Sequence, residues 1–149
     1  MPLERRAVLF GGAALAALAG CMGAAPSLTV SAQGVPGMNP GPDGADRPLT
    51  LTVVQMRGTG AFDAADFFTL QDPASALGAD FVKADQIVLT AGAPTSRTIA
   101  IQEGVSAVGI VAGFRDPGGK IYRSVAPAPA GSAGVVVNVT PGGIALVPA

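Results

Sequence analysis

The residue types that most often carry out chemistry are scarce in this sequence. It contains one cysteine, Cys21, and no histidine. Without a histidine or a second thiol, the usual nucleophilic triads, zinc sites and intrachain disulfides cannot be built. The composition therefore predicts a protein that is not an enzyme and that holds no metal ion or diffusible cofactor.

Two groups of acidic residues still require an explanation. Asp63 and Asp66 lie three residues apart in a segment with helical character, and the start of a helix is the ordinary place for Asp. Asn39, Asp43 and Asp46 share a loop, but their spacing does not match a calcium-binding loop. We favour helix capping over a catalytic pair in the first group and assign no cation to the second.

Cys21 follows a segment typical of an export signal. Arg5 and Arg6 precede an apolar run over residues 7–19, and the segment ends in Leu-Ala-Gly-Cys at 18–21. The run is too short to cross a bilayer as a helix, which takes about 20 apolar residues. The pattern predicts a secretory signal peptide over residues 1–20. The arginine pair leaves the twin-arginine route open beside the general secretory route.

The Leu-Ala-Gly-Cys sequence resembles the lipobox of bacterial lipoproteins. The resemblance implies cleavage before Cys21 and a covalent diacylglycerol on its sulfur, the only non-protein group expected. The alternative, a secreted protein with one exposed thiol, leaves the odd cysteine unexplained. Met22, rather than Asp, follows the cysteine, and in the sorting rule of enteric bacteria this implies the outer membrane.

The composition of the remaining chain indicates a single β-rich domain. Removing residues 1–20 takes Arg5, Arg6 and Glu4 from 9 basic and 10 acidic residues, which leaves a net charge of −2. A chain without excess basic charge is a poor candidate for binding nucleic acid. The 21 glycines and 13 prolines separate apolar runs, as turns separate strands. We expect a lipidated tether over 21–27 and a folded domain over 28–149.

Alternating or continuous apolar segments predict about eight strands, the pattern of a β-sandwich. The predicted strands cover 28–32, 49–56, 85–90, 97–102, 107–114, 120–125, 135–139 and 144–147. The apolar run at 107–114 predicts a buried central strand, and the turn at 116–119 predicts a hairpin to the next strand.

The segment after the second predicted strand favours helix instead. Residues 62–70 predict a helix capped by Asp63, and Asp72-Pro73 followed by Gly78 predicts a second one over 73–77. The side chains of the first helix that we expect to face a core are Ala64, Phe67, Phe68 and Leu70.

The connection between the first two predicted strands is unusually long. Residues 34–48 contain four prolines and four glycines, which preclude regular strand pairing. Loops of this length are often functional. The residues alone leave a partner-binding loop and a solvated connector equally open.

The order of these features resembles the TssJ family, also called VasD or SciN. The matching parts are the lipobox, the Asn-Pro loop, Arg-Pro-Leu-Thr-Leu-Thr-Val-Val-Gln-Met-Arg at 47–57 with the segment to Leu70, Ala-Val-Gly-Ile-Val-Ala-Gly-Phe-Arg at 107–115, and Lys-Ile-Tyr-Arg at 120–123. The family often has Trp-Arg where this chain has Tyr122-Arg123, and tyrosine can fill a similar amphipathic position.

The resemblance implies a fold and a function. The fold is a mainly β, transthyretin-like sandwich with a short helical insertion after the second strand. The function is that of the outer-membrane lipoprotein of type VI secretion systems, lipid-anchored at the periplasmic face. It holds the periplasmic part of the inner-membrane protein TssM, within a TssJ–TssL–TssM complex. Another periplasm-facing lipoprotein that binds a different envelope component is the alternative, because one fold hosts many functions.

In the family, the loop between the first two strands contacts TssM, and it maps here to residues 34–47. The prolines reduce the conformational entropy lost on docking. Val35 and Met38 are candidate apolar anchors, and Asp43, Asp46 and Arg47 could set charge complementarity. The full set of expected contact residues is Val35, Pro36, Met38, Asn39, Pro40, Asp43, Asp46 and Arg47.

Overall fold

The structure, a computed structural model, describes residues 25–149 as eight strands and three short helices. The predicted signal peptide and Cys21 lie outside the described residues. The strands are β1 (Ser27–Gly34), β2 (Leu49–Met56), β3 (Phe81–Leu89), β4 (Thr95–Ala100), β5 (Ala107–Ala112), β6 (Arg123–Pro127), β7 (Ser132–Thr140) and β8 (Gly143–Pro148). No helix among these residues has the length and apolar character needed to cross a membrane.

The strands form two four-stranded sheets that pack face to face. One sheet has the order β4-β1-β7-β8 and the other β3-β2-β5-β6. Within them, β1 and β7 run parallel, and every other neighbouring pair is antiparallel. This mainly β architecture, with a helical insertion after β2, confirms the predicted fold class.

The main core lies between the two sheets and follows the alternation of the strands. In β1, Leu28, Val30 and Ala32 are buried, and the residues between them point outward. All six residues of β5 are buried, which confirms the predicted central strand. Such a strand needs cover on both faces, and the helical insertion covers the second one.

The helical insertion consists of α1 (Gly60–Ala64), α2 (Phe67–Leu70), α3 (Pro73–Leu77) and a 3₁₀ turn at Gly78–Asp80. The prediction of a single helix over 62–70 is wrong, because Ala65 and Asp66 are extended. Asp66, rather than Asp63, is the capping residue, and its carboxylate accepts a hydrogen bond from Thr69 N at 2.8 Å. The predicted helix over 73–77 is confirmed, with Pro73 in its first turn.

A second apolar cluster joins the insertion to the outer face of the β3-β2-β5-β6 sheet. Phe62, Leu70 and Leu77 pack there with Val54, Met56, Ala107 and Val111. The prediction that Ala64 and Phe68 face a core is wrong: both are exposed, and Phe68 is 78% accessible. The break before Asp66 changes which side chains face the sheet, so Phe62 takes the central place instead. Gly109 makes room for it, since a Cβ there would lie 2.7 Å from the Phe62 ring.

The predicted strand at 120–125 begins later than expected, at Arg123. Ile121 instead pairs with β8 of the other sheet: Ile121 N donates to Gly142 O at 3.0 Å, and Ile144 N donates to Ile121 O at 2.8 Å. Gly143 permits this close approach, because a Cβ there would lie 2.3 Å from Ile121 O. Because Ile121 pairs with β8 in the other sheet, β6 begins only at Arg123.

The two ends of the sandwich differ in what they carry. At one end, the chain enters β1 beside the 101–106 and 128–131 connections; Ile101 N donates to Pro26 O, and Ala128 N to Ser106 O. We call this the entry end. At the other end lie the β1–β2 loop, the β3–β4 turn and the β5–β6 connection. We call this the loop end.

Candidate functional site

The β1–β2 loop, residues 35–48, is fixed to several neighbours at the loop end. Val35 N donates to Val139 O at 3.1 Å, and Gly92 N donates to Gly34 O at 3.0 Å. These bonds continue the β1 pairing into the first residue of the loop and tie the loop base to the β3–β4 turn. The start of the loop is therefore part of the sandwich framework.

Met38 holds the first half of the loop from inside. Its N–H donates to Val35 O at 3.2 Å, closing a turn, and its side chain is fully buried in the main core. Gly34 leaves room for the sulfur, since a Cβ there would lie 2.2 Å from Met38 Sδ. The expectation that Met38 offers an apolar anchor to a partner is not met, because the main core already occupies its side chain.

Asn39 ties the loop to the β5–β6 connection. Its Oδ1 accepts from Arg115 N at 2.9 Å, and its Nδ2 donates to the carbonyls of Arg47 at 3.3 Å and Pro48 at 3.2 Å. The residue is only 3% exposed. With these polar groups satisfied, Asn39 is a support of the loop rather than a contact available to a partner.

Asp46 closes the loop across its base. One carboxylate oxygen accepts from Gly37 N at 2.8 Å and the other from Asn39 N at 3.0 Å. These two backbone hydrogen bonds, with a smaller contribution from Lys120, hold the pKa of Asp46 below its ordinary value. The charged carboxylate therefore joins the end of the loop to its first half through two hydrogen bonds.

The outer part of the loop is a compact turn. Gly41 N donates to Ala45 O at 2.8 Å, and Gly44 has a positive φ of 83° that glycine adopts readily. Asp43 accepts from Ala45 N at 3.2 Å and pairs with the Arg47 guanidinium at 3.0 Å. Both side chains of this ion pair are exposed, so the pair contributes little to stability and can be approached by another molecule.

The structure thus divides the predicted contact residues into two sets. Those that are exposed are Val35, Pro36, Pro40, Asp43 and Arg47, whereas Met38 and Asn39 are buried and Asp46 is partly buried. Val35 is 48% exposed and lines an open groove of about 480 Å³, whose lining also includes Gly92 and Pro94. A small apolar side chain next to a groove suits contact with another protein.

The oxygen-rich set in this loop does not form a cation site. Asn39 Oδ1 and both Asp46 oxygens face backbone N–H donors, whereas a cation site needs oxygens that converge on one point. Across residues 25–149, no three Asp or Glu side chains come together in a way that could hold a metal ion. Asp66 caps α2, and Asp63 is exposed in α1.

The sequence reasoning missed the role of Arg123 at the other side of the β5–β6 connection. Its Nη1 donates to Phe62 O at 2.9 Å and to Ala65 O, at the end of α1. Its guanidinium lies 5.5 Å from the Tyr122 ring, which meets Phe67 edge to face at 5.2 Å. The Lys-Ile-Tyr-Arg motif marked these positions but gave no sign of this contact with the helical insertion.

These features define an eight-stranded β-sandwich protein with a helical insertion after β2 and an internally braced loop at one end. A family model described as "Type VI secretion lipoprotein, VasD, EvfM, TssJ" matches residues 26–142. The chain therefore belongs to the type VI secretion lipoprotein family, which confirms the resemblance seen in the sequence. A comparison with curated protein sequences finds no match.

Solved structures of the same fold support this assignment. The T6SS lipoprotein TssJ1 from Pseudomonas aeruginosa is 25% identical, with a TM-score of 0.76 over 85% of this chain and 98% of that one. Serratia marcescens Lip, a membrane-bound component of the type VI secretion system, is 21% identical, with a TM-score of 0.75 over 81% and 96%.

A chain in the solved structure of the "T6SS protein TssM C-terminal domain (869-1107) from EAEC" also shares the fold. It is 15% identical, with a TM-score of 0.64 over 83% of this chain and 98% of that one. Family membership makes this protein a membrane-anchored structural lipoprotein of the cell envelope.

Proposed function

We propose that this lipoprotein anchors a type VI secretion membrane complex at the outer membrane by binding the periplasmic part of a TssM-like inner-membrane protein. The observation that carries the proposal is the β1–β2 loop, which exposes apolar and charged side chains on a backbone fixed from inside by Met38, Asn39 and Asp46. A loop that is already ordered loses little conformational entropy when a partner binds.

The anchor in this proposal is a lipid on Cys21, the only cysteine of the chain. Residues 1–20 are the signal peptide, and the tether that was expected over 21–27 ends one residue earlier, because Ser27 is already the first residue of β1. One acyl chain holds a protein to a bilayer only reversibly, so stable anchoring needs at least two chains, as on a diacylated cysteine. Met22, rather than Asp, at the position after the cysteine favours the outer membrane under the sorting rule of enteric bacteria.

The TssM-like partner rests on the family resemblance. The chemistry of the loop suits a protein surface of mixed character. Val35 supplies apolar area, and the prolines restrict the backbone. Asp43 and Arg47 present one charge of each sign for complementary groups on the partner.

The loop is tested by calorimetric titration of the mature chain with a purified periplasmic TssM fragment from the same secretion system. Because Met38 and Asn39 are core residues, single substitutions separate binding from folding better than deletion of the loop. Val35→Asp should weaken binding by about tenfold or more, as expected for an apolar contact residue, without lowering the thermal unfolding midpoint.

The matched control is Val88→Asp, which places the same charge on an exposed valine of β3. It should leave the affinity for the fragment unchanged. Equal affinities for the Val35→Asp and Val88→Asp variants would remove the loop from the proposal. No binding by the unmodified chain would favour the alternative, a lipoprotein that holds another envelope component.

The anchor is tested separately with Cys21→Ser in the chain that keeps residues 1–20. The variant should reach the periplasm in soluble form, retain calorimetric binding to the TssM fragment, and fail to support secretion through the apparatus. Normal secretion by a soluble Cys21→Ser protein would show that anchoring by this residue is not needed.

A further inference from the structure

The outward face of the β4-β1-β7-β8 sheet, which we call the hydroxyl face, is uncharged. In β1 its side chains alternate with the buried ones and are Ser27, Thr29, Ser31 and Gln33. Every charged side chain of residues 25–149 lies on the other sheet, in the loops or in the insertion, apart from Arg97. That residue turns from the β4 edge toward β3, where it contacts Gln86 O and Asp85.

Several polar side chains of the hydroxyl face pair with one another across the strands. Thr29 and Thr98 hydroxyls lie 2.9 Å apart, and the Ser31 hydroxyl donates to Ser96 Oγ at 3.3 Å. The Gln33 amide donates to Asn138 Oδ1 at 2.6 Å. Covering a polar group costs less when the group already has a partner, so these pairs reduce the desolvation cost of covering this face.

The two sheets differ in what covers their outward faces. The α1–α3 insertion covers part of the β3-β2-β5-β6 sheet, whereas no described element covers the hydroxyl face. Proteins commonly place charged side chains on exposed sheets, where like charges discourage association. The hydroxyl face lacks such charges, so a second hydroxyl face meets no electrostatic repulsion, and a strongly charged partner finds no complementary group.

We propose that two copies of this chain associate through their hydroxyl faces on the membrane, an inference that rests on the proposed lipid anchor. Four strands spaced about 4.8 Å apart and about 25 Å long give a face on the order of 500 Å². Two such faces bury about 1,000 Å², the lower limit for a specific interface. The association is therefore weak in solution and depends on confinement to one bilayer, which raises the local concentration.

The position of the chain entry makes this arrangement compatible with the anchor. Six residue steps separate Cys21 from Ser27, a reach of about 20 Å at most. A two-fold axis parallel to the strands places both entry ends toward the same bilayer and both β1–β2 loops at the opposite end. The pair would then present two loops side by side to the partner complex.

Cysteine crosslinking tests this arrangement in the membrane-anchored chain, because the lipid occupies the only natural thiol. Thr29→Cys and Ser31→Cys place single thiols on the hydroxyl face, and Val88→Cys places one on an exposed, outward position of β3. Mild oxidation in isolated envelopes should give disulfide-linked homodimers for the hydroxyl-face variants. The Val88→Cys variant and the parent should remain monomeric.

A charge substitution provides a second measurement that does not depend on disulfide geometry. Lipidated protein carrying Thr29→Lys is compared with Val88→Lys by energy transfer between labelled copies in phosphatidylethanolamine–phosphatidylglycerol vesicles. Opposed lysines should weaken self-association by about tenfold, and Val88→Lys should leave it unchanged. Calorimetric binding of the soluble Thr29→Lys chain to the TssM fragment should stay the same.

Three results would overturn the proposal: equal crosslinking of hydroxyl-face and Val88→Cys variants, equal energy transfer for Thr29→Lys and the parent, or crosslinking to a different envelope protein in place of a second copy. The proposed function fails on a different result, unchanged TssM affinity of the Val35→Asp variant. The two failures are therefore distinguishable.

Discussion

The β1–β2 loop and the helical insertion both leave the sandwich at a strand end, yet different forces hold them. The insertion is held mainly by apolar burial, with Phe62, Leu70 and Leu77 at most 4% exposed. The loop depends on hydrogen bonds made with the side chains of Asn39 and Asp46, and on the buried apolar side chain of Met38.

The difference has a consequence for what each region can present to a partner. The insertion buries Phe62, Leu70 and Leu77 against the β3-β2-β5-β6 sheet, so these side chains cannot contact a partner. Phe68 remains exposed. Hydrogen bonding through Asn39 and Asp46 fixes the loop backbone and leaves Val35, Asp43 and Arg47 facing solvent. The insertion is therefore suited to stabilising the fold, and the loop is suited to recognition.

The largest effect is expected in the insertion. Phe62→Ala should lower the free energy of unfolding by about 3–5 kcal/mol, because it removes a fully buried ring and leaves a cavity against Gly109 and Met56. Denaturant unfolding of the soluble mature chain with Cys21→Ser measures the change. Phe68→Ala is the matched control and should change stability by less than about 0.5 kcal/mol. Similar losses for both phenylalanines would contradict the apolar account of the insertion.

A smaller effect is expected when the loop loses its internal support. Asn39→Ala leaves Arg115 N and two backbone carbonyls without their partner, so it should cost about 1–3 kcal/mol of stability. Unlike Phe62→Ala, it should also weaken TssM binding when measured well below the unfolding midpoint. Gln86→Ala removes an exposed side-chain amide on β3, away from the loop, and serves as the control. Unchanged binding by a folded Asn39→Ala variant would separate loop order from recognition.

The smallest effect is a pH response that compares one aspartate from each region. Backbone hydrogen bonds lower the pKa of Asp46 and of Asp66 from 3.8 in the folded chain, the largest contributions coming from Gly37 N and Thr69 N respectively. Each carboxylate therefore stabilises the fold above about pH 3.8, and this contribution is lost as the pH falls through the lower folded-state value.

Amide hydrogen exchange at acid pH measures this response residue by residue. Protection of the Gly37 and Asn39 amides should fall below pH 3.8, and Asp46→Asn should reduce it already at neutral pH. Loss of the Asp66 charge should affect only the first turn of α2 near Thr69, because apolar contacts hold the rest of the insertion. Full protection of the Gly37 amide in the Asp46→Asn variant would show that the Asp46 carboxylate is not needed to hold the two halves of the loop together.

Several features could be read from sequence because they depend on neighbouring residues. Alternation in β1 and β2, the continuous apolar run of β5 and the glycines and prolines between the apolar runs predict an eight-stranded sandwich. The capping pattern of Asp72, Pro73 and Gly78 predicts α3 with its correct limits. The long Pro- and Gly-rich loop was equally visible, and so was the family resemblance.

Other features were decided only in the tertiary structure, because the residues involved are far apart in the chain. Asn39 supports the loop because it accepts a hydrogen bond from Arg115 N. Arg123 holds the insertion because its guanidinium donates to Phe62 O. The burial of Met38, the exposure of Phe68 and the uncharged outward face of one sheet also arise from packing. Local pattern determined which segments became strands, helices and loops, whereas contacts between distant residues determined which side chains remained free to bind.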